Sequence, residues 1–158
     1  ATEGVTTDAT TTATEISFVS PQLNTAYEAA QRITVDTNAT QGYQVFLLAD
    51  TDLLNTYGDP IPGVTGTNAS PIEWSNGCSI AATGCFGYHV GDDTLADGSV
   101  RFAANDSFAA LDTNPQEIMH SSVPADESSD IVYKIQVADD QPAGTYETNL
   151  TYVVVPVY

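Results

Sequence analysis

Two stretches in the last third of the chain alternate apolar and polar side chains at every second residue, a period that belongs to β-strands. Ile131, Tyr133, Ile135 and Val137 share one face, while Val132, Lys134 and Gln136 share the other. The turn-forming run Asp139-Asp140-Gln141-Pro142-Ala143-Gly144 follows. Tyr146, Thr148, Leu150, Tyr152 and Val154 then alternate again, and Val153 to Val157 are apolar on both faces. Read as one strand, residues 145–158 extend about 46 Å at roughly 3.3 Å per residue, far beyond the usual strand. An apolar strand left open templates aggregation, so this one needs a cover, either the domain's own core or another subunit. Val153, Val155 and Val157 are therefore candidate subunit-interface residues.

Earlier segments carry the same signature more weakly. Ile33 and Val35 alternate with polar residues, Thr37 to Gly42 is rich in turn formers, and Tyr43 to Ala49 is a nearly continuous apolar run. This predicts two strands joined by a hairpin loop, the second buried on both faces. Ile16 and Phe18, closed by Pro21, predict a first strand, and Ser20 to Gln31 reads as a connection with one or two helical turns as the alternative. Asp50 to Ser70 is loop-like, and short strands are expected at 72–74, 86–90 and 100–102. Short strands at regular spacing in 158 residues predict one all-β domain over 15–158, an Ig-like or pilin-like β-sandwich with Greek-key connections.

Residues 1–14 stand apart, with seven threonines between Thr2 and Thr14. At period two, Val5, Thr7, Ala9, Thr11 and Ala13 form a small, weakly apolar face. The segment is an extended arm, either a spacer or a strand that pairs with something else. As a donor strand it would present Val5, Ala9 and Ala13, continued by Ile16 and Phe18, to a neighbouring subunit.

Charge narrows the partners. Asp and Glu number 21 against Arg32, Arg101 and Lys134, a formal charge of -18. Such a surface repels nucleic-acid phosphates and anionic lipid heads, so neither nucleic acid nor membrane is expected as a partner. Ala1-Thr2-Glu3 reads as the start of a mature exported chain. In that setting Cys78 and Cys85, in a Gly-rich loop, predict a local disulfide; two core thiols are the weaker reading beside Asn76-Gly77 and Thr83-Gly84. Asn38, Asn68, Asn105 and Asn149 head Asn-x-Ser/Thr sequons, acceptors for surface glycans.

Catalytic patterns are lacking. His89 and His120 are the only histidines, and neither sits in a nucleophile elbow or a metalloprotease motif. Acid pairs such as Asp92-Asp93 or Asp50/Asp52 read as solvated loops before they read as a glycosidase dyad. The run Asp92 to Gly98 has some character of a calcium loop, but Leu95 stands where an oxygen ligand is needed, so an acidic turn is the better reading. Lys134, the only lysine, invites a covalent weld to Asn149, against which stands an ordinary outward lysine on an amphipathic strand. No enzyme, metal or cofactor is expected.

Several stretches, in order, resemble segments of predicted secreted surface proteins of the candidate-phyla-radiation bacteria. They are Thr34 to Tyr43, Gly84 to His89, Arg101-Phe102-Ala103-Ala104, Gln141 to Tyr146 and Val155-Pro156-Val157-Tyr158. The Ala143-Gly144-Thr145-Tyr146 turn before a last strand also resembles the ends of pilins that polymerise by strand donation. The resemblance implies an exported β-sandwich at the cell surface, with no catalytic residues to carry over. The functional expectation is a head-to-tail homopolymeric filament or pilus subunit serving attachment to a host receptor or glycan. The alternative is a monomeric adhesin or carbohydrate-binding module with Trp74, Tyr57 or Tyr88 on its platform.

Overall fold

The alternating segment around Tyr133 becomes the central strand of the protein. A computed structural model describes residues 4–78, 84–91 and 94–158. Strands run in the order β1 (Ala26–Thr37), β2 (Tyr43–Ala49), β3 (Leu53–Leu54), β4 (Pro60–Ile61) and β5 (Ile72–Glu73). A helical turn α1 (Trp74–Gly77) precedes β6 (Cys85–Val90), β7 (Ser107–Phe108), β8 (Gln116–Ser121), β9 (Ala125–Gln136) and β10 (Leu150–Pro156). The described residues are predominantly β, and every strand ladder among them is antiparallel. One sheet has the order β1-β9-β6 and another β10-β2-β8, with β3-β4 and β5-β7 as small ribbons.

The two faces of β9 have different jobs. Ile131, Tyr133 and Ile135 meet Phe86, Tyr88 and Val90 of β6, Val45 and Leu47 of β2, and Ile118 and Met119 of β8 in one cluster. The two three-stranded sheets therefore share a core. On the opposite face Val132 and Cys85 pack under Trp74, Phe108, Val64 and Cys78, a second cluster. This is why β6 is buried at every position. Cys78 and Cys85 form the expected disulfide, which ties α1 to the start of β6.

Lys134 belongs to this second layer. Its ammonium lies 2.9 Å from Glu28 and 3.3 Å from Asp106, and 5.2 and 4.9 Å from the ring centres of Trp74 and Phe108. It is therefore neither an outward lysine nor near Asn149, whose amide bonds Asp50 in front of β10.

Several sequence expectations are corrected. Residues 33–37 and 43–49 do not form a hairpin, because β1 pairs with β9 and β2 with β10 and β8. The intervening turn carries the chain from one sheet to the other, and Gly42 makes it with φ +75°. The second face of β2 is half-buried, not buried. β1 starts at Ala26, inside the segment read as a connection, because its register against β9 brings Glu28 opposite Lys134. Ile16 and Phe18 form no strand; they pack against the shared core from the side, with one bridge from Ile16 to Thr11. Residues 101–102 are a turn that drives Phe102 into the core. Trp74 begins α1 and does not extend β5. The long last strand is shorter than expected, since residues 145–149 lie outside it and Glu147 only bridges Leu54. β8, broken by Glu117 and His120, had no clear sequence signal.

A Cβ on Gly42 would lie 2.0 Å from the Ser121 carbonyl oxygen, in a backbone region that L side chains rarely adopt. Gly42→Ala should lower the unfolding free energy by at least about 2 kcal/mol, read from the denaturant midpoint. Reducing the Cys78–Cys85 bridge should cost about 2.5 kcal/mol in the chain-entropy picture, a shift of similar size in the same measurement.

Candidate functional site: two sheet edges

Both three-stranded sheets end in a long strand on one side, β1 in one case and β10 in the other. What each edge does with its outward amides and carbonyls decides whether it is closed. In an antiparallel strand these groups alternate sides, so one parity of residues faces outward.

In β1 the even residues face outward, and the N-terminal arm covers the first of them. Asp8 N donates to Glu28 O at 2.7 Å, and Glu28 N donates to the Asp8 carboxylate at 2.9 Å. Thr11 Oγ1 donates to Ala30 O at 2.5 Å, and Gln31 Nε2 donates to Thr12 O at 2.8 Å. The arm then turns back, Thr11 bridging Ile16. Among the described residues, no backbone bond reaches the outward amides of Arg32, Thr34 and Asp36. This stretch is guarded by charge, with the Arg32 guanidinium on Asp130 at 2.7 and 2.8 Å and Asp36 opposite Asp126.

In β10 the odd residues face β2. Asn149 O accepts from Asp50 N, and Val157 both donates to Gly42 O and accepts from Gln41 N. Leu150, Tyr152, Val154 and Pro156 therefore face outward, and among the described residues none has a backbone partner there. Pro156 stands at an outward position, where its missing N–H costs nothing. Neither β10 nor β2 carries a charged side chain, and Val153, Val154 and Val155 are 39, 49 and 40% exposed.

Tyr152 links the two edges. Its hydroxyl bonds the Tyr133 hydroxyl of β9 and donates to Gln31 Oε1 of β1 at 3.0 Å. Above it lies an open cleft of about 430 Å³ lined by Thr11, Thr12, Ala13, Gln31, Arg32, Ile33 and Tyr152. Burial holds the Tyr152 hydroxyl above its ordinary pKa and the Tyr133 hydroxyl well above it; burial also pushes Tyr88 up to about 12.

Of the candidate interface residues, Val5 packs against the Trp74 cluster and Ile16 and Phe18 against the shared core. Ala9 and Val157 are half-buried and Ala13 is exposed. Val5, Ile16 and Phe18 are thus seated on their own domain, while Ala13, Val153 and Val155 are open. The β1 groups that receive the arm are backbone atoms of Glu28 and Ala30, which have no side-chain signal and lie in a segment with little strand character of its own.

Other candidates sort by burial. Asn38, Asn105 and Asn149 are exposed. Asn68 is 3% exposed, and its amide bonds the Tyr88 hydroxyl, Glu117 O and Arg101, leaving no room for a glycan in this fold. Trp74 and Tyr88 are buried, so they form no ligand platform; Tyr57 alone is exposed. His89 is a core residue, its Nδ1 2.8 Å from Ser107 O and its ring against Phe102 and Phe108. Asp92 and Asp93 lie outside the described residues. In the rest of that loop Leu95 is buried, and the Asp97 carboxylate is engaged by Arg101 at 2.7 Å and by Ser99. The Ser99 hydroxyl first, and then Arg101 and the Ser99 amide, hold Asp97 well below the usual carboxylate range. Among the described residues no three His, Cys, Asp or Glu side chains gather as a metal ion would need.

Raised tyrosine pKa values fix a sign. The folded state holds these phenolic protons more tightly than the unfolded chain, so their contribution is complete below pH about 10. It is lost as pH rises from there through the folded value of about 12 for Tyr88. Thermal melts should therefore stay level across neutral pH and fall above pH about 10, and Tyr152→Phe, by removing the Gln31 bond and the partner of the buried Tyr133 hydroxyl, should cost about 2 kcal/mol or more. Compared with family models, curated proteins and solved structures, the chain finds no match in any of the three.

Proposed function

We propose that this chain is a structural subunit of an extracellular filament or pilus, assembled by β-strand donation and serving surface attachment. The fold reading that accompanies it is an Ig-like β-sandwich with Greek-key connections, without catalytic function. The observation that carries the proposal is the seat of the arm on β1: Asp8 on Glu28, Thr11 on Ala30 and Gln31 on Thr12.

Those bonds are few, and the arm's side chains that pack are small or half-buried. An arm leaving its own edge loses little, and the same arm recovers the same bonds on the edge of the next subunit. Cis and trans seats then differ mainly in the entropy of linking chains and in whatever extra length the trans arm pairs. The unpaired amides of Arg32, Thr34 and Asp36 continue the edge beyond the cis seat and offer that extra length. The shared core is filled by Tyr43, Tyr88, Tyr133 and Phe102, each almost fully buried. Donation is therefore addition to an edge and not completion of a core that lacks a strand. Self-repulsion at a charge of -18 opposes assembly, and physiological salt screens it beyond about 8 Å.

The disulfide supports an oxidising, extracellular location. Among the described residues no helix is long and apolar enough to cross a membrane. Of its three platform candidates the adhesin reading keeps only Tyr57, and it is not favoured.

Negative-stain electron microscopy of the native chain, of a chain lacking residues 1–14 and of Ala9→Asp tests the proposal. Fibres are expected for the native chain, strengthening as salt rises from low to physiological, and are lost in both variants. Monodisperse particles from the native chain under every condition, or fibres that survive loss of the arm, would overturn it.

A further inference from the structure

The β10 edge differs from the β1 edge in a way that arm donation does not use. The arm is polar and carries Asp8, and it is received beside Glu28 on β1; beyond that seat β1 is flanked by Arg32, Asp36 and Asp130. β10 and its neighbour β2 form an uncharged surface with three adjacent valines exposed at the rim. The rest of this molecule is dominated by carboxylates, so a partner docked on β10 gains nothing from charge. A second copy of the chain, itself at -18, has in its own β10 an apolar, uncharged strand with free outward amides.

We propose that β10 pairs antiparallel with β10 of a second copy about a twofold axis at Tyr152, joining β8-β2-β10 of each copy into one continuous sheet. Proline sets the register. Outward residues must face outward residues, and Pro156 has no amide to donate. Centring the pair on residue 153 or 154 places Pro156 opposite Leu150 or Tyr152 and loses a bond at each end. Centring it on Tyr152 sets Leu150 of each copy opposite Val154 of the other and Tyr152 opposite Tyr152, with both prolines beyond the ladder. On the outer face Val153 of each copy then lies beside Thr151 of the other, and Val155 is drawn towards the seam. The space beside Tyr152 is open cleft, not packed protein.

A two-strand seam is small beside the ~1,200 Å² at which stable interfaces begin, so the dimer is weak and concentration-dependent. It is independent of the arm and, where the arm also donates, pairs filaments side by side.

Amide hydrogen exchange on the full chain, from about 10 μM to about 1 mM, reads the seam directly. The amides of Leu150, Tyr152 and Val154 should slow by about tenfold or more as concentration rises. Val154→Pro, which removes an outward amide that bonds nothing within the monomer, should abolish the slowing and leave the melting temperature unchanged. Ala9→Asp, which unseats the arm, should leave the slowing intact even where it dissolves fibres. Exchange at these amides that does not depend on concentration would overturn the proposal. So would slowing that survives Val154→Pro, or slowing lost in Ala9→Asp, which would make a neighbour's arm the occupant of β10.

Discussion

The pairing of β9 on both sides, with a covered surface on both faces, is the constraint from which the rest of the structure follows. A strand in this position has no polar backbone group left to solvent along its paired length, so its side chains decide what surrounds it. Ile131, Tyr133 and Ile135 draw the β10-β2-β8 sheet onto one face, and Val132 draws the Trp74 and Phe108 layer onto the other. Lys134 then sits in the second layer with its charge compensated by Glu28 and Asp106 and its ammonium over two rings. The sheet-forming interactions therefore concentrate in the middle of the molecule, and β1 and β10 lie at the rim with outward backbone groups.

That rim is handled unevenly. β1 is part-covered by the chain's own arm and part-guarded by charge, both recognised ways of blunting an edge. β10 has only Pro156 as a guard, at one end, and valines elsewhere. An edge left so apolar in an otherwise acidic molecule is stable against aggregation only if something specific occupies it, or if the charge of the rest keeps copies apart. The two edges thus lend themselves to two different pairings, one polar and exchangeable, the other apolar and symmetric.

The all-β, antiparallel character was legible because it is carried by period-two patterns, above all in β9, which packs on both faces, and in β10. The disulfide was legible from cysteine spacing in a Gly-rich loop. What escaped were features set by partners distant in sequence. β1 begins six residues before Arg32 because β9 imposes the register, although Tyr27-Glu28-Ala29-Ala30 has little strand character of its own. β8 is held between β2 and the core despite Glu117 and His120. The apparent hairpin at 37–42 is a crossing between sheets, and a local turn signal cannot tell the two apart. At the site, the valines of β10 were visible as an exposed-strand problem. The acceptor edge was not, because backbone groups at Glu28 and Ala30 have no side-chain signature.

The central claim is that the arm exchanges between copies at the β1 edge, and interchain cross-linking tests it most directly. Two chains with one added cysteine each, Ala9→Cys and Glu28→Cys, would be mixed under assembly conditions and oxidised, the native Cys78–Cys85 bridge remaining intact. The account predicts a disulfide-linked heterodimer joining the arm of one chain to β1 of the other, increasing as polymers form. Fibres that yield no such product would contradict it, as would cross-links confined to single chains in the double variant.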